Sequence, residues 1–493
     1  MPLLRRARAV AVSAALLATG CLAVSANAHA DPDLHVPAPE CIQPGPVLRY
    51  LVVFDRGTSE PLARAETAAA CGTTVGYYPA ISVAVVTSGD PGFGQRIGPD
   101  RAYSAQADGL SRRTGSPARK KDDEPVSRSA APGGAVDRTA EQWDMDLIHA
   151  AEAHAISGGS RDVVVGVLDS GIDPAHPDLV GALDPALSAG CTNGIADPEQ
   201  SAWAPTTSAH GTHVAGIIAA ADDGAGTTGV APGVRIASVK VVDDDGFIYP
   251  EYAVCGFMWA ATHAMTVTNN SYFIDPWVFT CQNKSGQAVV YEAVRRAVDY
   301  AAAQGVLTVA AAGNGGADLT KPGRDTQSPT NAAAEDVKPR SVDNTCLLLP
   351  AQLRNVVAVS SVGASKVKAG YSSYGLGAVD VTAPGGDRKQ PPDDGEQGCV
   401  LSTVPDDGYD YSCGTSMAAP HVSGVAALLA STHPSANPGE LTRMLNTEAE
   451  TLPCPADYDL NGTGAQDAYC TGYSEYNGFY GHGLVDALEA VQR

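Results

Sequence analysis

The sequence predicts an α/β fold in which helices cover both faces of a mostly parallel sheet, preceded by a small α+β module. From Trp143 onward, apolar runs of strand length alternate with longer, helix-like runs. Such alternation is typical of a parallel sheet that lies between helices. A shorter strand–helix–strand pattern runs from Leu48 to Val85, ahead of a polar stretch. A chain of 493 residues has room for both units.

The first thirty residues have the pattern of an export signal. Three arginines among the first eight residues precede an apolar stretch from Ala9 to Ala26, and Ala28-His29-Ala30 offers small residues for cleavage. An uncleaved membrane anchor and a lipoprotein site at Cys21 remain alternatives. We expect residues 1–30 to be removed as a signal peptide, and the mature protein to be secreted without stable membrane insertion.

Composition indicates an extracellular protein that does not bind nucleic acid. The formal net charge of -23 would repel phosphate backbones, so we expect no nucleic-acid partner. Ten of the eleven cysteines follow Cys21, and no Cys-x-x-Cys pair occurs. In an exported chain this favours disulfides over metal ligation. Nearness in sequence predicts three bridges: Cys41–Cys71, Cys399–Cys413 and Cys454–Cys470.

The small module is predicted for residues 41–90. Leu48–Phe54 has the composition of a strand, and the Ala-rich helical stretch that follows it ends at Gly72. Ile81 and Val83 then alternate with their neighbours like a half-buried strand. A unit this small needs a partner surface to be stable.

A flexible linker is predicted for residues 91–140, because the composition shifts there to Gly, Pro, Ser and charged residues. Basic clusters such as Arg112-Arg113 are candidate cleavage sites, although solvated charges also explain them. The larger domain then spans residues 141–493.

Two candidate catalytic residues begin or end elements of the larger domain. Asp169 directly follows the buried strand Val163–Leu168, at the carboxyl end where sites in such sheets gather. A turn-forming aspartate is the alternative. His210 opens an Ala-rich helix and can reach into a cleft, whereas His213 better suits a structural role. The two histidines lack the HExxH pattern of a zinc site.

Two further polar residues, Asn314 and Ser416, also stand at the end of a strand or the start of a helix. Asn314 follows the apolar strand Val306–Ala312, and its amide is a donor of the kind that an oxyanion needs, although a turn role is also open. Ser416 stands at the start of an apolar helix, where the helix dipole and the unpaired N–H groups favour negative charge.

Together these motifs resemble the three signatures of the subtilisin family of serine proteases, in the family's order Asp, His, Ser. The motifs are Asp169-Ser170-Gly171, His210-Gly211-Thr212-His213-Val214-Ala215-Gly216 and Gly414-Thr415-Ser416-Met417-Ala418-Ala419-Pro420. The resemblance extends from Gln142 to about Ala490.

The resemblance implies a serine endopeptidase that cuts protein or peptide substrates through an acyl-enzyme intermediate. Asp169, His210 and Ser416 would be the catalytic triad, and Asn314 would complete the oxyanion hole. No cofactor would be required, and we expect a monomer. The module at 48–87 resembles the family's inhibitory propeptide, which implies a ferredoxin-like fold and a self-inhibited precursor. The maturation cut would fall between about Ala102 and Gln142.

The resemblance also implies that Ser271, Tyr272, Phe273, Ala312 and Gly313 bind substrate. Phe273 stands where the family usually has a small residue, so its ring either packs against Trp277 or reshapes the specificity pocket.

The resemblance also implies a structural calcium ion, with Asp178 and Asp223 as hard oxygen ligands. Solvated turn aspartates are the alternative.

The sequence also bears on three functions other than that of a broad degradative endopeptidase. Gln142-Trp143-Asp144-Met145-Asp146 resembles the mature start of lantibiotic leader peptidases, which favours a dedicated processing enzyme. A catalytically silent binding protein is disfavoured by the intact triad. A lipase is disfavoured because Ser416 lacks a Gly-x-Ser-x-Gly context.

Overall fold

The computed structural model of the chain describes residues 41, 44–112, 136–333, 336–392 and 397–492. The predicted export signal lies outside this part. Within these ranges no helix combines the length and the apolar character that crossing a lipid bilayer requires.

The N-terminal module is a four-stranded antiparallel sheet with the strand order β2-β3-β1-β4. Its elements are β1 (Leu48–Val53), α1 (Glu60–Ala69), β2 (Thr73–Tyr78), β3 (Val83–Ser88), α2 (Phe93–Ile97), β4 (Ala102–Tyr103) and α3 (Ala105–Arg112).

The structure corrects the predicted linker at its N-terminal end. Residues 93–112, which were assigned to the linker, contain α2, β4 and α3, and β4 pairs with β1. Phe93 is fully buried, and its ring centre lies 4.7 Å from that of Tyr50. The polar composition hid these elements because they are short and contain few apolar residues. The module therefore extends beyond residue 90.

Strand β1 is buried on both faces. Tyr50 and Val52 point into the module's own core, whereas Leu51 packs, together with Val83 of β3, into a cluster that includes residues of the larger domain. Side chains of a strand alternate between its two faces, so a strand covered on both sides must be apolar throughout. The larger domain thus supplies the partner surface that a module of this size needs.

The larger domain is built on a seven-stranded sheet with the strand order β15-β14-β10-β8-β5-β7-β6, in which every strand pair is parallel. Helices α8 and α11 contribute to the core on one face, and α9 and α10 to the core on the other. The predicted α/β fold with a parallel sheet is confirmed. In chain order the elements are α4 (Trp143–Leu147), α5 (Ala150–His154), β5 (Val164–Asp169), α6 (Pro177–Val180), β6 (Ala189–Gly190), α7 (Gln200–Trp203), α8 (His210–Ala219), β7 (Arg235–Lys240), α9 (Pro250–Thr262), β8 (Val267–Asn270), β9 (Thr280–Cys281), α10 (Gln287–Ala303), β10 (Leu307–Ala311), β11 (Arg324–Asp325), β12 (Arg340–Ser341), β13 (Cys346–Leu347), β14 (Val356–Val362), β15 (Val381–Pro384), β16 (Val400–Val404), β17 (Gly408–Ser412), α11 (Thr415–Thr432), α12 (Pro438–Glu448), β18 (Gly472–Tyr473), β19 (Tyr476–Asn477) and α13 (Glu489–Gln492).

The disulfides include all three bridges that the sequence predicts. Cys41–Cys71, Cys399–Cys413 and Cys454–Cys470 are all formed, and the other two bridges are Cys191–Cys255 and Cys281–Cys346. Cys399 and Cys413 lie at the two ends of the β16–β17 hairpin. This bridge therefore closes the hairpin immediately before Ser416.

Candidate active site

The candidate site lies where the winding of the parallel sheet reverses. The chain passes from β5 to β7 on one side, and later returns to place β8 on the other side of β5. A crevice opens outside the carboxyl ends of the strands at such a switch point. Asp169 ends β5 and Ser271 follows β8. Here the structure has a cleft of about 380 Å³, lined by Asp169, His210, Asn314 and Ser416 among others.

Asp169 and His210 form a hydrogen-bonded pair at this cleft. The Asp169 Oδ1 atom lies 2.8 Å from His210 Nδ1, and it also accepts the backbone N–H of Ser170. Asp169 is 1% exposed, whereas the ring of His210 reaches the cleft. An ionised carboxylate only accepts hydrogen bonds, so Nδ1 carries the hydrogen and Nε2 of the neutral ring is left as a base.

Glycines bring helix α8 close enough to β5 for this contact. A Cβ atom on Gly211 would fall 2.4 Å from the carbonyl oxygen of Gly171. Any larger residue at position 211 would push the start of the helix, and His210 with it, away from Asp169.

Ser416 is the second residue of α11 and is held by Ser271 through two hydrogen bonds. Its Oγ donates to the Ser271 carbonyl oxygen at 3.2 Å, and Ser271 Oγ donates to the Ser416 carbonyl oxygen at 2.8 Å. The Ser416 carbonyl lacks its usual helix partner because Pro420, four residues later, has no N–H. Ser271 therefore replaces a missing helix hydrogen bond.

The orientation of the Asn314 amide is fixed by Thr415. Asn314 Oδ1 accepts from the Thr415 backbone N–H at 2.9 Å and from Thr415 Oγ1 at 2.8 Å. A backbone N–H can only donate, so the oxygen end of the amide must face Thr415. The NH2 end is consequently turned away from Thr415, in a side chain that lines the cleft. Gly313, with a φ of 90°, provides the left-handed turn between β10 and Asn314.

Four of the five residues predicted to bind substrate line the cleft. They are Ser271, Tyr272, Phe273 and Gly313. Ala312 is fully buried and does not line the cleft, whereas its neighbour Ala311 does. In an extended chain, residues 311 and 313 share a side and residue 312 faces the opposite way. A role of Ala312 in substrate binding stays a prediction.

The bulky residues after β8 are part of the cleft wall. Phe273 lines the cleft and also packs against the core to which α9 and α10 contribute. Tyr272 donates from its hydroxyl to Asn270 Oδ1 at 2.9 Å, and Asn270 Nδ2 donates to the carbonyl of Val309 on β10. Burial, together with the charge of Asp169, raises the pKa of Tyr272 well above its ordinary value. Its hydroxyl thus remains a donor that braces this wall.

His213 has a structural position. It is fully buried, and its Nε2 lies 3.0 Å from the carbonyl oxygen of Asp410. Burial is the main cause that lowers the pKa of His213 to about 3, so the ring is neutral at physiological pH.

The two predicted calcium ligands do not form a fitting cation site. Asp178 Oδ1 accepts from the Tyr409 hydroxyl at 2.8 Å, and Oδ2 accepts from the Thr227 N–H at 3.0 Å. Asp223 is exposed and accepts from the N–H of Ala225. The described residues contain no group of three or more His, Cys, Asp or Glu side chains suited to a metal. Both oxygens of Asp178 thus already accept a hydrogen bond from the protein, and these bonds compete with a cation.

The N-terminal module contacts the larger domain through polar anchors. Arg296 of α10 donates from Nη1 to the carbonyl oxygens of Phe54 and Ile81 at 2.8 and 2.9 Å. Trp277 donates from its indole to the Tyr103 hydroxyl at 3.3 Å. None of the module's described residues lines the cleft.

Comparison with known proteins agrees with this geometry. Residues 160–483 match the model of the subtilase family, peptidase S8. Fervidolysin of Fervidobacterium pennivorans is 30% identical over 356 residues, which are 66% of this chain and 41% of fervidolysin. Subtilisin E of Bacillus subtilis strain 168 is 32% identical over 350 residues, which are 71% of either chain.

A solved structure shows the same fold. The epidermin leader peptide processing serine protease of Staphylococcus aureus has a TM-score of 0.65 at 19% identity, and the match covers 90% of this chain and 98% of that chain. The family model spans more than half of the sequence. The chain therefore belongs to the subtilase family, whose members are serine endopeptidases.

Proposed function

We propose that the chain is a secreted serine endopeptidase, made as a self-inhibited precursor, which hydrolyses peptide bonds through Asp169, His210 and Ser416. The observation that carries the proposal is the 2.8 Å contact between Asp169 and His210, at a cleft that Ser416 also lines. Membership of a family that acts on protein substrates supports the same activity.

In acylation, Ser416 Oγ attacks the carbonyl carbon of the scissile peptide bond. A serine hydroxyl is a weak nucleophile, so His210 Nε2 takes its proton during the attack and then gives it to the leaving amine. Asp169 keeps the hydrogen on Nδ1 and stabilises the imidazolium that forms. Water, activated by the same histidine, then hydrolyses the acyl-enzyme and restores Ser416.

The negative oxygen of the tetrahedral intermediate would be stabilised by two donors. One is the Asn314 NH2 group, whose orientation is set by Thr415. The other is the backbone N–H of Ser416, which lies in the first turn of α11 where helix N–H groups lack internal acceptors. These donors act mainly in the transition state because the substrate carbonyl carries less charge.

Replacing the nucleophile tests the mechanism. Ser416→Ala should abolish hydrolysis of casein and labelling by a fluorophosphonate, without changing the melting temperature by more than a few degrees. Ser285→Ala, an exposed serine on the same domain, is the matched control and should behave as wild type. Casein hydrolysis by purified Ser416→Ala at the wild-type rate would overturn the assignment.

The N-terminal module would be the intramolecular inhibitor. Its strand order, with helices between β1 and β2 and between β3 and β4, supports the ferredoxin-like assignment. Arg296 and Trp277 would hold it against the larger domain. A cut inside β4 or α3 would break the module, so we place the maturation cut after Arg112 and before Gln142. N-terminal sequencing of the protein recovered from the medium tests both the cut and secretion.

The substrate preference would be for uncharged side chains. Asp169 and His210 are the only charged or chargeable side chains among the described lining residues, apart from the neutral Tyr272. Lys, Arg or Glu side chains of a substrate would therefore lose hydration without gaining a partner. Cleavage profiling on a peptide library measures this, and one dominant sequence instead of many apolar ones would favour a dedicated processing enzyme. Light scattering of the mature enzyme checks the expected monomer.

A further inference from the structure

Two buried side chains outside the cleft form a hydrogen-bonded pair. His421 Nε2 lies 3.0 Å from Asp144 Oδ2, and both side chains are 0% exposed. The other ring nitrogen, Nδ1, lies 2.7 Å from the carbonyl oxygen of Met417. Neither residue lines the cleft, so neither belongs to the proposed catalytic machinery.

The pair must hold one shared proton. A carbonyl oxygen only accepts, so the hydrogen on His421 Nδ1 is directed at Met417. Nε2 and the Asp144 carboxylate then need one further proton between them, because two lone pairs would otherwise face each other. With this proton the pair is neutral as a whole, which is why it can be fully buried.

The pair joins the start of the larger domain to the helix of the nucleophile. Asp144 belongs to α4, whereas His421 lies on α11, five residues after Ser416. Met417, which accepts the hydrogen bond from the ring, is the direct neighbour of Ser416. The two partners are 277 residues apart in sequence. Their contact therefore fixes the first turns of α11 relative to a segment that begins close to the maturation region.

The same N-terminal segment also holds the chain just before Ser416. Trp143 Nε1 donates to the carbonyl oxygen of Cys399 at 3.1 Å, and the Tyr411 hydroxyl donates to Glu141 at 2.6 Å. Cys399 and Tyr411 belong to the disulfide-closed hairpin that leads to Ser416. The nucleophile is thus held on both sides, before it through the hairpin and after it through His421.

We propose that Asp144 and His421 are positioning residues, which place Ser416 for catalysis by docking the first helix of the larger domain onto α11. This inference rests on the proposed role of Ser416 as the nucleophile. Displacement of a catalytic group by about 1 Å can lower the rate about 100-fold, so loss of the pair should lower kcat. Substrate binding should be affected less than kcat, because neither Asp144 nor His421 lines the cleft.

The test compares Asp144→Ala, His421→Ala and the conservative Asp144→Asn. Each enzyme is titrated to its end point with a fluorophosphonate, so that kcat is expressed per competent molecule on a chromogenic peptide. We expect the two alanine variants to lose about 10- to 100-fold in kcat with KM nearly unchanged. Asp144→Asn can still donate an amide hydrogen to a neutral His421, and it should recover much of this loss.

The chain offers a matched control. His149 and Asp486 form a second histidine–aspartate pair at 2.8 Å, but this pair is partly exposed, and it joins the residue that precedes α5 to the C-terminal segment. His149→Ala should leave kcat and KM at wild-type values. If Asp144→Ala does not fold, the comparison of His421→Ala with Asp144→Asn carries the test.

The possible outcomes distinguish failure of this inference from failure of the proposed function. Alanine variants with wild-type kcat per titrated molecule, even at a lower melting temperature, would show that the pair is only structural and overturn the inference. An active Ser416→Ala enzyme would instead overturn the proposed function itself.

Discussion

Ser271 and Ser416 bind each other through two reciprocal hydrogen bonds, although they are 145 residues apart in sequence. The side chain of each residue donates to the carbonyl of the other. The bond to the Ser416 carbonyl exists because Pro420 cannot supply the helix N–H that would normally occupy this acceptor. The carboxyl end of β8 and the start of α11 are thereby linked into one unit.

Ser271→Ala tests this link. The variant loses the donor to the Ser416 carbonyl but keeps its own backbone acceptor for Ser416 Oγ. A buried carbonyl without a donor costs about 1–3 kcal/mol, and we expect part of this cost to raise the barrier of acylation. The expected result is a decrease in kcat of about tenfold, measured on a chromogenic peptide.

The control for this variant is Ser285→Ala, which should keep the wild-type kcat. An unchanged kcat in Ser271→Ala would show that Ser271 only completes the hydrogen bonding of the helix.

Asn314→Ala should lower kcat far more than it changes KM. The amide donor is used mainly when the oxyanion forms, so substrate binding in the ground state depends on it little. The expected loss is about 10²–10³ in kcat, a magnitude known from the corresponding asparagine of subtilisin rather than derived from this chain. Thr415→Val keeps the shape of the side chain but removes one of the two donors that orient the amide, so its loss should be smaller. Equal losses in both variants would contradict the orienting role of Thr415.

Binding of the N-terminal module should weaken as the pH rises. Glu251, at the start of α9, is 3.9 Å from Arg49 of the module, and burial raises the pKa of Glu251 from 4.5 to about 7. The charge of Arg49 opposes this rise, and that of Asp243 adds to it. Glu251 has the higher pKa in the docked state, so between about pH 4.5 and about pH 7 it binds a proton there that an exposed carboxyl group does not bind. The contribution of this proton to the free energy of docking is complete below about pH 4.5 and is lost as the pH rises past about 7.

The measurement is the fraction of cleaved module that stays with the enzyme in gel filtration at pH 5 and at pH 8. We expect more retention at pH 5. Glu251→Gln cannot titrate, so it should remove the difference between the two pH values. A difference that persists in this variant would assign the effect to another group.

Chelation should leave the melting temperature of the enzyme unchanged. The Asp178 carboxylate is already bound by the Tyr409 hydroxyl and the Thr227 N–H. Tyr409→Phe, in contrast, leaves a buried carboxylate oxygen without this donor and should destabilise the fold by about 1–3 kcal/mol in urea unfolding. A decrease in melting temperature with EDTA that calcium restores would show that the calcium prediction was right.

Local patterns were enough to predict the sheet and the candidate residues. The strand predicted at Val163–Leu168 is observed at Val164–Asp169, because an uninterrupted apolar run suits a strand buried on both faces. Local nearness also sufficed for Cys399–Cys413, since a short hairpin brings its ends together.

The prediction was wrong where tertiary packing, rather than local composition, determines the structure. Phe93 and Ile97 are spaced like neighbours on one helix face, but in a Gly- and Asp-rich stretch only the core of the module shows what they bury against. The fit of Asp178 to a calcium ion likewise depends on Tyr409, which is 231 positions away in sequence.

The sequence alone determined which residues are available for catalysis and at which ends of which elements they stand, because capping, periodicity and motif order are properties of short segments. The tertiary structure alone decided how those residues are held. Thr415 orients Asn314, Ser271 replaces the bond that Pro420 removes, and Asp144 meets His421 in the core. Each of these contacts joins residues about 100 or more positions apart, and such contacts form only when the parallel sheet brings distant strand ends and helix starts to one edge.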